Sequence, residues 1–61
     1  MTAYVYRKKD AKPIVKINNV WNVREHIDGE HTIIEWKDKQ TNALYGQYFE
    51  TKLYSIVIYQ N

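Results

Sequence analysis

The dipeptide Asp28-Gly29, at the middle of VWNVREHIDGEHTIIEWK (residues 20–37), constrains this chain more than any other feature. Flanked by runs of β-branched and aromatic residues, Asp-Gly signals a β-hairpin closed by a two-residue type I′ turn, whose central residues both take positive φ. Such a turn sets the register, because each residue is then paired with the one equally far beyond the turn. Trp21 faces Trp36, Val23 faces Ile34 and Glu25 faces Thr32 on one side of this hairpin. Val20 with Lys37, Asn22 with Glu35, Arg24 with Ile33, and His26 with His31 share the other side. The first side is aromatic and aliphatic, the second mostly polar. A slip of one residue would set Trp21 against Glu35 and scatter the apolar set. Turn chemistry and side-chain pattern thus agree, and the tryptophans are expected in the core.

The remaining segments read as strands joined by polar loops. Thr2 to Lys8 alternates, with Ala3 and Val5 on one side and Tyr4 and Tyr6 on the other. The polar stretch Lys9 to Pro13 is a loop, and Pro13 restricts Ile14–Ile17 to a strand's beginning or an edge. Asn18-Asn19 suits a bulge or tight bend, since Asn tolerates left-handed backbone; Ile14 to Ile27 can then run on as one bent strand. After the loop Asp38–Asn42 comes the strand Ala43–Glu50. Its register is open between Leu44 opposite Trp36 and Tyr45 opposite Ile34, and Gly46 is expected to make room for Trp36 or Trp21. Thr51-Lys52 is a short connection, and a single helical turn fits Glu50–Ser55. Leu53 to Tyr59, LYSIVIY, is nearly all apolar, the pattern of a strand covered on both sides or central in its sheet. The expectation is one all-β domain over residues 1–61: a five-stranded antiparallel meander forming a bent sheet or a small barrel.

Length and composition limit how such a domain is stabilised. A chain of 61 residues buries only about 60% of the surface that it exposes when unfolded. There is no cysteine, hence no disulfide and no thiolate metal site. The core must come from five Val, seven Ile and nine aromatic residues, all strand formers. Dimerisation is the ordinary remedy if that core is too small. The N-terminus has no apolar stretch of the signal-peptide kind and no run approaches a membrane span, so a cytoplasmic location and no membrane partner are expected.

Catalysis is not expected. Ser55 is the only serine and lacks a nucleophile-elbow context, and two glycines cannot make a phosphate loop. A chain this short seldom walls off a substrate pocket, so neither a small-molecule substrate nor a cofactor is expected. His26 and His31 face each other near the turn and could hold Zn²⁺ or Ni²⁺ with Asp28 or Glu30. Four ligands are the norm for a structural zinc, however, so they read as surface histidines whose mutual repulsion weakens the tip. No metal is expected.

Two surfaces could bind a macromolecule. Residues 1–20 carry five cations against Asp10, a net of +4, while residues 21–61 carry −2. Tyr4, Tyr6, Arg7, Lys8, Lys9, Lys12 and Lys16 interleave rings with cations, as surfaces that bind single-stranded nucleic acid do. The same residues also read as an edge strand protected by lysines. In the last strand, Leu53, Tyr54, Val57 and Tyr59 form an uncharged segment without proline. At a sheet edge it would pair with another chain; in a sheet centre it would not.

Lys, Asn, Ile and Tyr make up 25 of the 61 residues, types encoded by A/T-rich codons. In this composition, its shortness, the Asp-Gly hairpin and the Tyr-rich end, the chain resembles the small accessory proteins of low-GC Gram-positive bacteria and their phages. The expected function is a non-enzymatic protein-interaction module, self-associating as a homodimer or binding a foreign protein. The second expectation is a small β-barrel that binds single-stranded nucleic acid through its basic N-terminal segment.

Overall fold

The computed structural model describes residues 1–60 and is all-β among them. Its six strands are β1 (Thr2–Arg7), β2 (Val15–Ile17), β3 (Val20–Glu25), β4 (His31–Lys37), β5 (Leu44–Glu50) and β6 (Tyr54–Tyr59). They form two three-stranded antiparallel sheets, β2-β1-β6 and β3-β4-β5, rather than one closed barrel. The count is six rather than five because the expected bent strand from Ile14 to Ile27 divides at Asn18-Asn19. Asn19 takes the left-handed backbone that Asn tolerates (φ 59°), and the chain passes from one sheet into the other. The corner is held from both sides. Met1 and Val20 exchange hydrogen bonds (Val20 N to Met1 O 2.9 Å, Met1 N to Val20 O 3.2 Å), and Lys37 N donates to Asn19 O.

The hairpin β3-β4 keeps the expected register from Asn22–Glu35 through His26–His31; its turn is not the expected one, and the register itself shifts only at the far end. At the tip, only Gly29 has positive φ (70°), and His26 N donates to His31 O at 2.8 Å. The loop therefore contains the four residues Ile27–Glu30, not two. Asp28 explains why: its Oδ1 accepts from Glu30 N and His31 N (2.8 and 3.2 Å), so the side chain takes up amides that a two-residue turn would have paired otherwise. At the other end a bulge at Trp21 brings Val20, not Trp21, opposite Trp36. Val20 is buried and Trp21 is left 53% exposed, so Trp21 is not a core residue.

The β4-β5 pair adopts neither of the two expected registers: Trp36 lies opposite Tyr45, and Gly46 opposite Glu35. The loop again decides. Asp38 N donates to Ala43 O, Asp38 Oδ1 accepts from Gln40 N and Thr41 N, and Asn42 takes φ 60°. Gly46 consequently gives room to neither tryptophan; the nearest side-chain atoms to a Cβ there would be Glu35 Cγ at 3.8 Å and Ile33 Cγ2 at 3.9 Å. Between β5 and β6, Thr51–Leu53 form the expected short connection as a turn (Leu53 N to Glu50 O 3.0 Å), and no helix forms over Glu50–Ser55.

The core lies between the sheets. Ala3, Val5 and Ile17 on one side meet Val20, Ile34 and Phe49 on the other, with Val15, Val23, Trp36, Tyr54, Ile56 and Ile58 partly buried around them. Of the nine aromatic residues only Phe49 is buried. The molecule is 17 Å across its thinnest dimension, about one sheet-to-sheet spacing plus side chains, and that gap suits branched aliphatics. Ile33 is buried separately, on the outer face of β4, between its register partners Arg24 and Tyr48.

Three consequences can be measured. Ile34→Ala should cost about 2–5 kcal/mol, enough to unfold a domain of this size, because its fully buried side chain sits between the sheets. Trp21→Ala should leave the melting temperature within a few degrees of wild type, and a Trp21→Ala protein that unfolds would refute the bulge. Gly46→Ala should stabilise the fold by about 0.5–1 kcal/mol in urea titrations, since the backbone is not left-handed and the added methyl meets only ordinary contacts.

Candidate interaction surfaces

The antiparallel alternation of β1 and β6 sorts the residues singled out in the sequence onto three places. Odd residues of β1 and even residues of β6 face the core. Even residues of β1 and odd residues of β6 form the outer face of their sheet. The third place is the sheet's free edge.

The longer of the two edges is β6, since the strand order is β2-β1-β6. The nearly continuous apolar run thus does not mark a central strand: its residues are alternately partly buried and exposed. Lys8 N donates to Leu53 O at 3.2 Å, which assigns residues 53, 55, 57 and 59 to the hydrogen bonds with β1. The backbone N–H and C=O groups of Tyr54, Ile56 and Ile58 therefore point away from the sheet. The four residues expected at this interface separate. Leu53 lies exposed in the turn; Tyr54 is partly buried, edge-on to Phe49 at 5.7 Å; Val57 and Tyr59 are exposed on the outer face.

The outer face gathers residues that the sequence had assigned to different surfaces. Tyr59 meets Tyr4 edge-on at 5.5 Å, and Lys16 Nζ stands 5.8 Å from the centre of the Tyr4 ring. With Thr2 and Tyr6 they line an open depression of about 360 Å³. Arg7, Lys8 and Lys9 are elsewhere, at the end of β1, where Lys52 and Leu53 join them around a second depression of about 370 Å³. Arg7 is 3.9 Å from Asp10, and Lys12 is exposed in the loop and lines neither depression. The contributions of Tyr59 and Lys52 were not legible from sequence, since both depend on β6 lying beside β1.

Charge divides along the same line as the sheets. Residues 1–17 and 51–60 carry six cations against Asp10, a net of +5, while residues 18–50 carry three cations against six carboxylates, a net of −3.

At the β3-β4 tip, His26 and His31 do not converge on a shared ion position. Both turn Nδ1 toward Asp28: His31 Nδ1 is 2.7 Å from Oδ2, and His26 Nδ1 is 3.1 Å from Oδ1. His26 Nδ1 also lies 3.3 Å from Asp28 N, so it accepts from that amide when unprotonated and donates to the carboxylate when protonated. Their rings are edge-on at 6.3 Å, and Tyr48 packs beside both. Four-residue loop geometry makes them a hydrogen-bonded pair, and a carboxylate between them replaces the expected repulsion with attraction to a common anion. Among the described residues no group of three or more His, Asp or Glu side chains is placed to hold a metal. The hydrogen bond from Glu30 N, followed by those from His31 and His26, holds the Asp28 carboxyl well below the usual carboxylate range.

No family model, curated protein or solved structure matches the chain. No helix among the described residues is long and apolar enough to cross a membrane.

The Asp28 carboxyl offers a check on the tip. A carboxylate with a lowered folded pKa stabilises at pH above its unfolded value, about 4, and loses that contribution as pH falls through the folded value. The stability advantage of wild type over Asp28→Asn should therefore persist down to about pH 4 and shrink only below it. Carbon-13 NMR should show the Asp28 carboxyl titrating below the other carboxylates; a midpoint among theirs would refute the hydrogen-bonded tip.

Proposed function

We propose that this protein is a non-enzymatic, cytoplasmic interaction module that pairs with a second copy of itself along β6. One observation carries the reading: β6 is a six-residue edge strand with no charge and no proline, and its outward backbone groups are available to a further strand. The other edges are blunted. The β2 edge is three residues long and carries Lys16, the β3 edge is engaged by Met1 and kinked at Trp21, and β5 contains Gly46 and ends at Glu50.

An antiparallel two-fold pairing centred on Val57 joins Tyr54, Ile56, Ile58 and Gln60 to their mates and sets the two Val57 side chains opposite each other. The contact is small, so the association belongs to the weak, micromolar class. Both copies bring their basic half to the junction, and pairing strengthens as salt screens that repulsion.

Sedimentation equilibrium tests this reading. Wild type should be a dimer in the micromolar range, with a larger dimer fraction at higher salt. Val57→Lys places two ammonium groups face to face at an exposed position and should give a folded monomer. A wild type that stays monomeric throughout would exclude self-association and leave a foreign protein as the partner of β6.

A further inference from the structure

We infer that the outer face of the β2-β1-β6 sheet binds single-stranded nucleic acid, with bases stacked on Tyr4, Tyr6 and Tyr59 and phosphates held by Lys16 on that face and by Lys8, Lys9 and Lys52 just past the end of β1. Along β1 this face reads Thr2, Tyr4 and Tyr6, and the cations Lys8, Lys9 and Lys52 gather just past the end of that column. Residues two apart in a strand are about 6.6 Å apart, close to twice the stacking distance of planar rings, so one base fits between successive tyrosines. The two rings make no stack with each other. Tyr59 stands at right angles to Tyr4 and remains 55% exposed, which leaves ring surface for a second base. Lys16 stands 5.8 Å from the Tyr4 ring centre, within reach of a phosphate that joins two stacked bases.

The class of partner follows from combining these features with the charge. A net of +5 on this half of the molecule favours a polyanion. An acidic peptide would satisfy the cations and leave the three ring faces unused; a nucleic acid uses both. Three strands span about 10 Å between the outer two, wide enough for one chain of nucleotides, and a duplex would keep its base faces hidden. Stacking accepts every base, so the site is sequence-tolerant. The face is perpendicular to the β6 edge and stays open whether or not a second copy is paired there.

Fluorescence anisotropy with a labelled oligothymidine of about 12 nucleotides and an abasic oligomer of equal length decides the matter. Expected is micromolar binding at about 50 mM salt that weakens about 50-fold by 200 mM, as the release of counterions from about four phosphates requires. The thymidine oligomer should bind at least about fivefold more tightly than the abasic one. Tyr59→Ala, at an exposed ring, should remove much of that preference, with circular dichroism confirming the fold; Tyr59→Leu serves if the alanine variant unfolds. Lys16→Glu should weaken both oligomers alike. Equal affinity for the abasic oligomer, for a duplex or for an oligoglutamate would overturn the stacking site, and so would no binding at about 50 µM protein in low salt. Salt acts in opposite directions here and on dimerisation, so failure of one is distinguishable from failure of the other.

Discussion

The corner at Asn18-Asn19 is the constraint on which the rest of this structure depends. A flat six-stranded sheet of this chain would have an apolar face and no second layer to cover it. By turning through a left-handed Asn19, the chain carries β3 out of the plane of β2, and the second sheet lies over the first. Val20 then falls into the gap beside Ile17 and Ala3, and its reciprocal hydrogen bonds with Met1 tie the start of β1 to the second sheet. The bulge at Trp21 follows from the same turn. The strand must rejoin β4 in register within two residues, and the extra residue is extruded with its side chain toward solvent.

The thinness of the resulting layer explains where the aromatic residues go. Branched aliphatics fill the space between two small sheets, and Phe49 enters it from the side of β5. The tyrosines have polar tips and larger rings, so they collect on outer faces and rims: Tyr4 with Tyr59 on one sheet, Tyr48 over the histidines and Tyr45 stacked on Trp36 on the other. An outer surface rich in rings is thus a by-product of a core too small to hold them. The same surface lies beside a concentration of positive charge.

The two loops made of Asp side-chain acceptors show how local chemistry overrides a simple turn rule. Asp28 and Asp38 each accept hydrogen bonds from two amides further along the chain, and each closes a four-residue loop. In the first hairpin the longer loop leaves the side-chain pairing unchanged, because it takes one residue from each arm. In the second it selects a register that neither expected alternative contained, so Gly46 ends beside Glu35 and away from the tryptophans.

What the residues determine by themselves is therefore local. Alternation placed Ala3 and Val5 opposite Tyr4 and Tyr6, Asp-Gly located the hairpin, the pairs from Asn22–Glu35 to Glu25–Thr32 followed from it, and Asn18-Asn19 marked the bend. These features depend on interactions between neighbours in sequence or across one turn. The tertiary structure alone decided that β6 lies at an edge, that Tyr59 joins Tyr4 and Lys16, that Lys52 meets the end of β1, and that Trp21 is expelled while Val20 is buried. Each of these depends on which strand of one sheet borders which strand more than forty residues away, or on how two sheets meet. Hydrophobic pattern carries no record of that, because every strand here offers an apolar face that would fit several neighbours equally well.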